Sequence, residues 1–534
     1  MKQMKKEHVK NYGKVKEKFP IVTISSGKVM GENRGDIGVF RGIPYGEKCD
    51  GKQRFLPAEA VKKWKGVRDC RKNGFIAPQF GGSISGSREF GSFFSGKHPE
   101  NFQCEQEIQN ENCLVLNVLT PGLDDRKRPV VVYIHGGGYA TGSGTLVLGA
   151  DQWVKDEDIV LVGVNHRLNI FGYLYLGEFG EKYRDSGAVG ILDIILALKW
   201  VKQNIQVFGG DCNNVTVMGE SGGGAKINTL LLMKEAAGLF HKAIIESGSI
   251  PAGMRKKEEG IHQTRKILEY IGVDAGNLEL LEHISVNKLL EAMKKTGNDS
   301  ALSFAPIVEN TDILAENMYA VSEWAKDIPI LIGSSEDEMA AFINVREIQN
   351  ITWENIEHYL ENAEKYLLES VYDLKRLDKN ILIDSFRKWN KKEDAPGHVF
   401  IKMVSLLSVL GAGAYYQAKE KCEKNGSVFY YVFAKDITHP TYESEKYSWH
   451  TADLPLQMRI VRDSDCEEIS KYMSKAWAAF IRSGNPSIEG RKWSPFTINE
   501  PWAMLIDDNV DIIKDPLEKE RNLFETLLGL KWKN

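Results

Sequence analysis

The stretch VTVMGESGG, residues 215–223, decides the fold of this chain. Its first four residues form an apolar run typical of a β-strand, and the motif G-x-S-x-G follows directly, before a helical pattern over 224–235. A serine between a strand and a helix has the setting of a nucleophile elbow, where flanking glycines leave room for a sharp turn. The stretch therefore predicts an α/β fold with Ser221 as nucleophile. A structural serine that caps the helix is the alternative.

Apolar runs elsewhere in the chain predict the other strands of the sheet. Runs of this length suit parallel strands that are covered on both faces. Long helical patterns such as 190–206 alternate with them, so the chain is predicted to form a doubly wound, mostly parallel α/β sheet. The runs lie at 130–134, 159–164, 243–245, 328–332 and 428–433.

Two segments rich in Lys, Glu and Leu, at 255–326 and 353–424, read as helical insertions that form a lid. Neither a linker nor an internal repeat divides the chain. We therefore predict a basic tail over residues 1–18 and a single domain over 19–534.

Composition limits the functional classes. The 534 residues are 42% hydrophobic and 27% charged with a net charge of −4, so nucleic acid is an unfavourable partner and a small neutral substrate fits better. No apolar run reaches 18 residues, and no apolar segment follows the basic N-terminus, so neither a membrane span nor a signal peptide is predicted. The seven cysteines form no CxxC pair, which favours free thiols in a reducing cytoplasm over a zinc site or disulfide framework.

A second motif, HGGGY at residues 135–139, follows the apolar run VVVYI. Consecutive glycines allow several backbone N–H groups to point at one spot, as an oxyanion hole requires. Gly137 and Gly138, together with the N–H of Gly222, are the predicted donors. A phosphate-binding loop is the alternative, but its lysine and its G-x-G-x-x-G spacing are missing.

These motifs and several others resemble the type-B carboxylesterase family, the cholinesterase-like branch of the α/β hydrolases, and in particular its bacterial para-nitrobenzyl-esterase-like members. The resemblance runs from about Phe19 to about Leu530. It implies the α/β-hydrolase fold and a serine carboxylesterase that cleaves small to medium esters through an acyl-enzyme, without metal or organic cofactor. The further motifs are FRGIPYG (40–46), NENCLVLNVLTP (110–121), NHRLNIFGYL (165–174), VFGGDCNNVTVMGESGG (207–223) and ESGS (246–249).

The resemblance implies a catalytic triad in the order serine, acid, histidine. Glu338 matches the glutamate of the family's D-E-G motif, although Met339 stands where the glycine is usual. Glu336 and Asp337 are the neighbouring alternatives for the acid.

His450 is the implied base, because the segment HTADLP at 450–455 matches the family's H-x-x-E/D-L-P. His439 is nearby, but it precedes a proline and lacks that motif. Two supporting residues are also implied: Glu220 at the pocket floor, and Ser247 as a hydrogen-bond partner of the acid. The family's two structural ion pairs correspond to Arg54 with Glu111 and to Arg167 with Asp193.

Departures from the family pattern bear on substrate and location. No tryptophan lies between Trp64 and Trp153, which disfavours choline esters, and small residues at 300–306 favour larger acyl groups. Secreted relatives pair the cysteine that matches Cys113, but the partner segment here, IAPQ at 76–79, has none. A cytoplasmic monomer or weak homo-oligomer is expected. A non-catalytic cholinesterase-like binding protein, a lyase or transferase with the same triad, and an interfacial lipase remain the alternatives.

Overall fold

The structure is a computed structural model that describes residues 18–80, 107–250, 255–307, 319, 321–363, 378–389, 395–424, 426–439 and 445–528. The predicted N-terminal tail therefore lies outside the described residues, apart from its last one.

Sixteen β-strands occur in the described ranges. In chain order they are β1 Ile21–Ile24, β2 Gly27–Met30, β3 Glu32–Arg34, β4 Ile37–Pro44, β5 Val67–Asp69, β6 Val115–Thr120, β7 Arg128–Ile134, β8 Val160–Val164, β9 Gly210–Glu220, β10 Lys242–Glu246, β11 Ile330–Ser335, β12 Val428–Phe433, β13 Ile437–Thr438, β14 Lys446–Tyr447, β15 Trp502–Ile506 and β16 Val510–Lys514.

Eleven of these strands form one sheet, in the order β16-β15-β12-β11-β10-β9-β7-β8-β6-β4-β3. The seven strands from β15 to β8 run parallel to one another, and antiparallel strands complete both edges. The carboxyl ends of β9, β10 and β11 therefore lie side by side, where an open α/β sheet places its binding site.

The described α-helices alternate with these strands or follow them. They are α1 Asp151–Asp156, α2 Asn169–Tyr173, α3 Val189–Asn204, α4 Gly222–Leu232, α5 Lys257–Ile271, α6 Val286–Lys295, α7 Val345–Gln349, α8 Ile356–Glu361, α9 Lys379–Trp389, α10 Pro396–Leu407, α11 Val409–Glu423, α12 Leu454–Gln457, α13 Glu467–Ser483 and α14 Glu518–Leu528. Among them, none combines the length and the apolar character that crossing a bilayer requires.

The sheet is buried on both faces, as the continuous apolar runs predicted. Along β7, Val130 and Val132 pack into one hydrophobic cluster, whereas Val131 and Tyr133 pack into a second cluster on the opposite face. All four side chains are fully buried. The predicted doubly wound α/β fold is confirmed.

Candidate active site

Ser221 occupies the turn between β9 and α4, with φ of 55° and ψ of −125°. Such a backbone conformation is strained for a residue with a side chain, and it presents the hydroxyl at the carboxyl edge of the sheet. A residue with a side chain does not fit at the neighbouring glycines. A Cβ on Gly223 would lie 2.0 Å from the carbonyl oxygen of Ile134, and one on Gly219 would lie 2.5 Å from the carbonyl carbon of Gly223. The serine itself remains half-buried, so a substrate can reach it.

His450 and Glu338 meet although 112 residues separate them. Glu338 begins a 3-10 turn directly after β11, and His450 lies in the loop between β14 and α12. Nδ1 of His450 is 2.5 Å from Oε2 of the glutamate. The other carboxylate oxygen accepts hydrogen bonds from the Ser247 hydroxyl at 2.5 Å and from the Ser335 N–H at 2.7 Å. The predicted Ser247 contact is therefore present.

The two neighbouring acidic residues have different partners. Asp337 accepts a hydrogen bond from the hydroxyl of Ser448, at 3.1 Å, and thereby joins the loop of Glu338 to the loop of His450. Glu336 instead pairs with Lys402 at 3.5 Å. Of the three acidic residues, all within the described ranges, Glu338 alone contacts the imidazole.

The second ring nitrogen of His450 faces Glu220. Nε2 lies 3.1 Å from Oε1 of that glutamate, and within the described part of the chain no hydrogen bond joins it to the hydroxyl of Ser221. Catalytic hydrogen bonds of this kind often form only once substrate is bound. Glu220 therefore lies directly beside the imidazole. Its position at the floor of the pocket stays a prediction.

This contact shifts the pKa values of both groups. Burial alone would lower the pKa of His450, but the charges of Glu220 and Glu338 outweigh it and raise that pKa to about 9. Burial raises the pKa of Glu220 to about 8, against the opposing charge of the imidazole. At neutral pH the pair therefore holds at least one proton between them.

The glycine loop, residues 135–139, packs directly on the start of α4. Gly137 and Gly138 have φ of 82° and 59°, and a Cβ on Gly222 would lie 2.2 Å from the carbonyl oxygen of Gly138. Within the described residues, no group accepts a hydrogen bond from the N–H of these three glycines. In the described part of the chain these three backbone donors therefore lack an internal acceptor, which is what an oxyanion hole requires.

Both implied ion pairs are present and buried. Their shortest contacts are 2.6 Å each, and every carboxylate receives two hydrogen bonds from its guanidinium. Bidentate geometry of this kind stabilises the scaffold around the site. The pairs are Arg54 with Glu111 and Arg167 with Asp193.

Two side-chain clusters outside the Ser221 site have the donor types of a metal centre, with potential ligand atoms within 4.8 Å of one another. In one cluster, the charge of Lys402 compensates part of the negative charge of Asp337. In the other, Lys435 pairs with Asp465 at 3.4 Å. Independence from metals and cofactors stays a prediction. The clusters are Asp337, His398 and Asp436, and Asp463, Asp465 and Cys466.

Three residues near the site were missed from the sequence. The half-exposed ring of Phe342 lies 5.2 Å from the ring of His450, and no motif marks it. The buried side chain of Glu246 accepts hydrogen bonds from Trp477 at 2.6 Å and from Gln457 at 2.9 Å. Lys226 did carry a signal, because it is the only charged residue in the sequence GGGAKINTLLL of α4.

Comparisons with known proteins agree on one family. A model described as the carboxylesterase family matches residues 18–524. The para-nitrobenzyl esterase of Bacillus subtilis (strain 168) is 31% identical, over 94% of this chain and 98% of its own length, and the phenmedipham hydrolase of Pseudarthrobacter oxydans is 28% identical, over 93% and 97%. A Geobacillus stearothermophilus carboxylesterase superposes with a TM-score of 0.76 and 27% identity, over 94% of this chain and 99% of the other.

Proposed function

Since this chain belongs to the carboxylesterase family and hydrolyses carboxylic esters, we propose that Ser221, His450 and Glu338 form its catalytic triad. The observation that carries the proposal is the buried 2.5 Å contact between His450 and Glu338. The imidazole also touches Glu220, the residue directly before the strained turn of Ser221.

The first half of the reaction forms the acyl-enzyme. Nε2 of His450 leaves Glu220, turns to Ser221 and accepts its proton while the serine oxygen bonds to the ester carbonyl carbon. The carbonyl oxygen becomes an oxyanion that accepts hydrogen bonds from the glycine N–H groups. When the tetrahedral intermediate collapses, the bond to the alcohol breaks and His450 returns its proton to the leaving oxygen.

The second half hydrolyses the acyl-enzyme. His450 takes a proton from water, the resulting hydroxide attacks the acyl carbon, and the carboxylic acid leaves as Ser221 regains a proton. Glu338 keeps Nδ1 protonated and stabilises the imidazolium in both halves. Its hydrogen bond from Ser247 orients the carboxylate for this role.

A burst experiment tests the proposal. The wild-type enzyme is expected to release p-nitrophenol from p-nitrophenyl acetate in a burst that matches the concentration of active sites, and Ser221→Ala is expected to lose the burst and to slow turnover by at least about four orders of magnitude. A fluorophosphonate probe should label Ser221, as peptide mass spectrometry would show. Full activity in Ser221→Ala, or labelling at another serine, would contradict the assignment.

We also propose that residues 19–534 act as one domain in the cytoplasm, as a monomer or weak homo-oligomer, with the helical segments at 255–326 and 353–424 over the site. Free thiols, two of them the buried Cys49 and Cys113, support a reducing compartment. Light scattering and cell fractionation test the oligomeric state and the location.

A further inference from the structure

Lys226 is a fully buried lysine directly behind the site. It is the fifth residue of α4, the helix that starts after Ser221, and its side chain has no exposed surface. The rest of the helix is small, apolar or uncharged. A buried ammonium is costly unless hydrogen-bond acceptors and a negative charge compensate it, so the groups around it must supply that compensation.

The ammonium of Lys226 joins both ends of the glycine loop. Nζ donates a hydrogen bond to the carbonyl oxygen of Gly138 at 2.6 Å and another to that of His135 at 3.2 Å. These two carbonyls bracket Gly136 and Gly137 in the chain. The side chain therefore ties the two positions that flank Gly136 and Gly137 to α4, in addition to the hydrogen bonds that Ala140 and Thr141 donate to the Gly137 carbonyl.

Several titratable and aromatic groups face the side chain of Lys226. Burial lowers the pKa of Lys226 to about 7, against the opposing charge of Glu220. The ring of Tyr139 lies 5.3 Å from Nζ. Burial and the charge of Lys226 lower the pKa of His135 to about 3, and they lower that of His166, whose ring stacks on His135 at 4.7 Å. Both histidines are therefore neutral at neutral pH, and Glu220 is the facing carboxylate.

We propose that Lys226 is a positioning residue of the oxyanion hole: by holding the carbonyls of His135 and Gly138, it aims the N–H groups of Gly137 and Gly138 at the oxyanion of the transition state. This inference rests on the proposed function of Ser221. Donors that are fixed before the reaction stabilise developing charge without reorganisation, and each one is typically worth about two to three orders of magnitude in kcat. A loosened loop would lose part of that effect.

The test compares Lys226→Met, which keeps an unbranched side chain one atom shorter but removes its charge and donors, with the wild-type enzyme. Rates are normalised to active sites that a fluorophosphonate titrates. For p-nitrophenyl acetate we expect kcat to fall about 100-fold and KM to change less than about threefold. Affinity for a trifluoromethyl ketone, whose hemiketal oxyanion with Ser221 resembles the transition state, should fall in proportion to kcat.

The matched control is Lys421→Met. Lys421 is also a buried lysine, on α11, and it donates hydrogen bonds at 2.7 Å to the carbonyls of Ala325 and Lys326. Its loss is expected to lower stability but to leave kcat for each titrated site unchanged. A second variant, Lys226→Gln, keeps a donor without the charge and should have an intermediate kcat.

The outcomes separate the two proposals. If Ser221→Ala keeps full activity, or the fluorophosphonate labels another serine, the assignment of Ser221 fails. If the probe labels Ser221 but Lys226→Met turns over and binds the ketone as the wild type does, the role of Lys226 is overturned while the triad stands. Failure of both Lys226 variants to fold, or an equal loss of kcat in Lys421→Met, would assign the lysine to the fold alone and also overturn this inference.

Discussion

Nε2 of His450 lies 3.1 Å from Oε1 of Glu220, so the imidazole contacts a carboxylate at each of its two nitrogens. The Glu338 contact fixes the tautomer that catalysis needs, but the Glu220 contact competes with Ser221 for the nitrogen that must accept the proton. The nitrogen of the proposed general base is therefore occupied in this structure, and we expect its release from Glu220 to be part of the proposed catalytic cycle.

The first prediction concerns the pH profile. His450 must be unprotonated to accept the Ser221 proton, and its pKa is raised to about 9, so kcat/KM should fall as the pH drops below that range rather than below the ordinary imidazole value. Glu220→Gln removes the largest contribution that raises this pKa. The acid limb of the profile is expected to move down by at least about one pH unit.

Glu246→Gln is the matched control for that shift. Glu246 ends the adjacent strand in register with Glu220, but its side chain contacts Trp477 and Gln457 instead of the imidazole. Burial is the main cause that raises the pKa of Glu246 well above its ordinary value. Glutamine resembles the protonated form that this shift favours. The acid limb should stay in place in this variant. An equal shift in both variants would show that net charge, not the Glu220 contact, sets the pKa of His450.

The second prediction concerns the support of Glu338. Ser247→Ala removes a 2.5 Å hydrogen bond to the carboxylate but leaves the N–H of Ser335 in place, so kcat/KM should fall about tenfold. Ser249 is equally buried, and its hydroxyl has no hydrogen-bond partner in the described part of the chain. Ser249→Ala should therefore stay within about twofold of the wild type. Steady-state kinetics of the two variants test this prediction. Similar losses of kcat/KM in both would show that the Ser247 hydrogen bond does not support Glu338.

The third prediction concerns stability. Asp193→Asn breaks the buried pair with Arg167 and leaves the guanidinium uncompensated, so the free energy of unfolding should fall by about 3–5 kcal/mol in urea titrations. Glu468→Gln removes the exposed partner of Lys471 and should cost at most about 0.5 kcal/mol. If the two variants unfold at the same urea concentration, the buried pair does not stabilise the scaffold as described.

The sequence pattern predicted the strands well where apolar residues fill them, and less well elsewhere. β12 spans the predicted residues 428–433. β9 begins at Gly210, five residues before its apolar part, and the pattern missed this start because residues 211–214 are mostly polar and partly exposed. β11 was predicted at 328–332 and occupies Ile330–Ser335. Pro329 has no N–H for the ladder, whereas the polar end of β11 pairs with β12.

The sequence pattern alone could not predict contacts between distant segments. The contact of Glu338 with His450 could be expected only through the family motifs, since 112 residues separate the two. The acceptors of Lys226 lie 88 and 91 residues away. Whether a lone lysine in an apolar helix reaches solvent or turns inward depends on the packing around it, which local periodicity does not encode.

The last prediction concerns the acyl group. The loop at 300–306 packs against the glycine loop: the carbonyl of Ala301 accepts the N–H of Tyr139 at 2.9 Å, and a Cβ on Gly138 would lie 2.8 Å from the Cβ of Ala301. Residue 301 therefore borders the space beside the proposed oxyanion hole. Because its side chain is small, we expect kcat/KM to be higher for p-nitrophenyl butyrate and hexanoate than for the acetate.

Ala301→Phe should reverse that order, because the ring would fill the space that a longer acyl chain needs. The expected loss is about tenfold or more for the hexanoate and less than about threefold for the acetate, in line with what a few methylene groups contribute in an apolar pocket. Ala237→Phe, at an exposed alanine after α4, controls for the added ring and should change neither ester. A wild-type enzyme that prefers the acetate, or an Ala301→Phe variant that slows all esters equally, would place the acyl chain elsewhere.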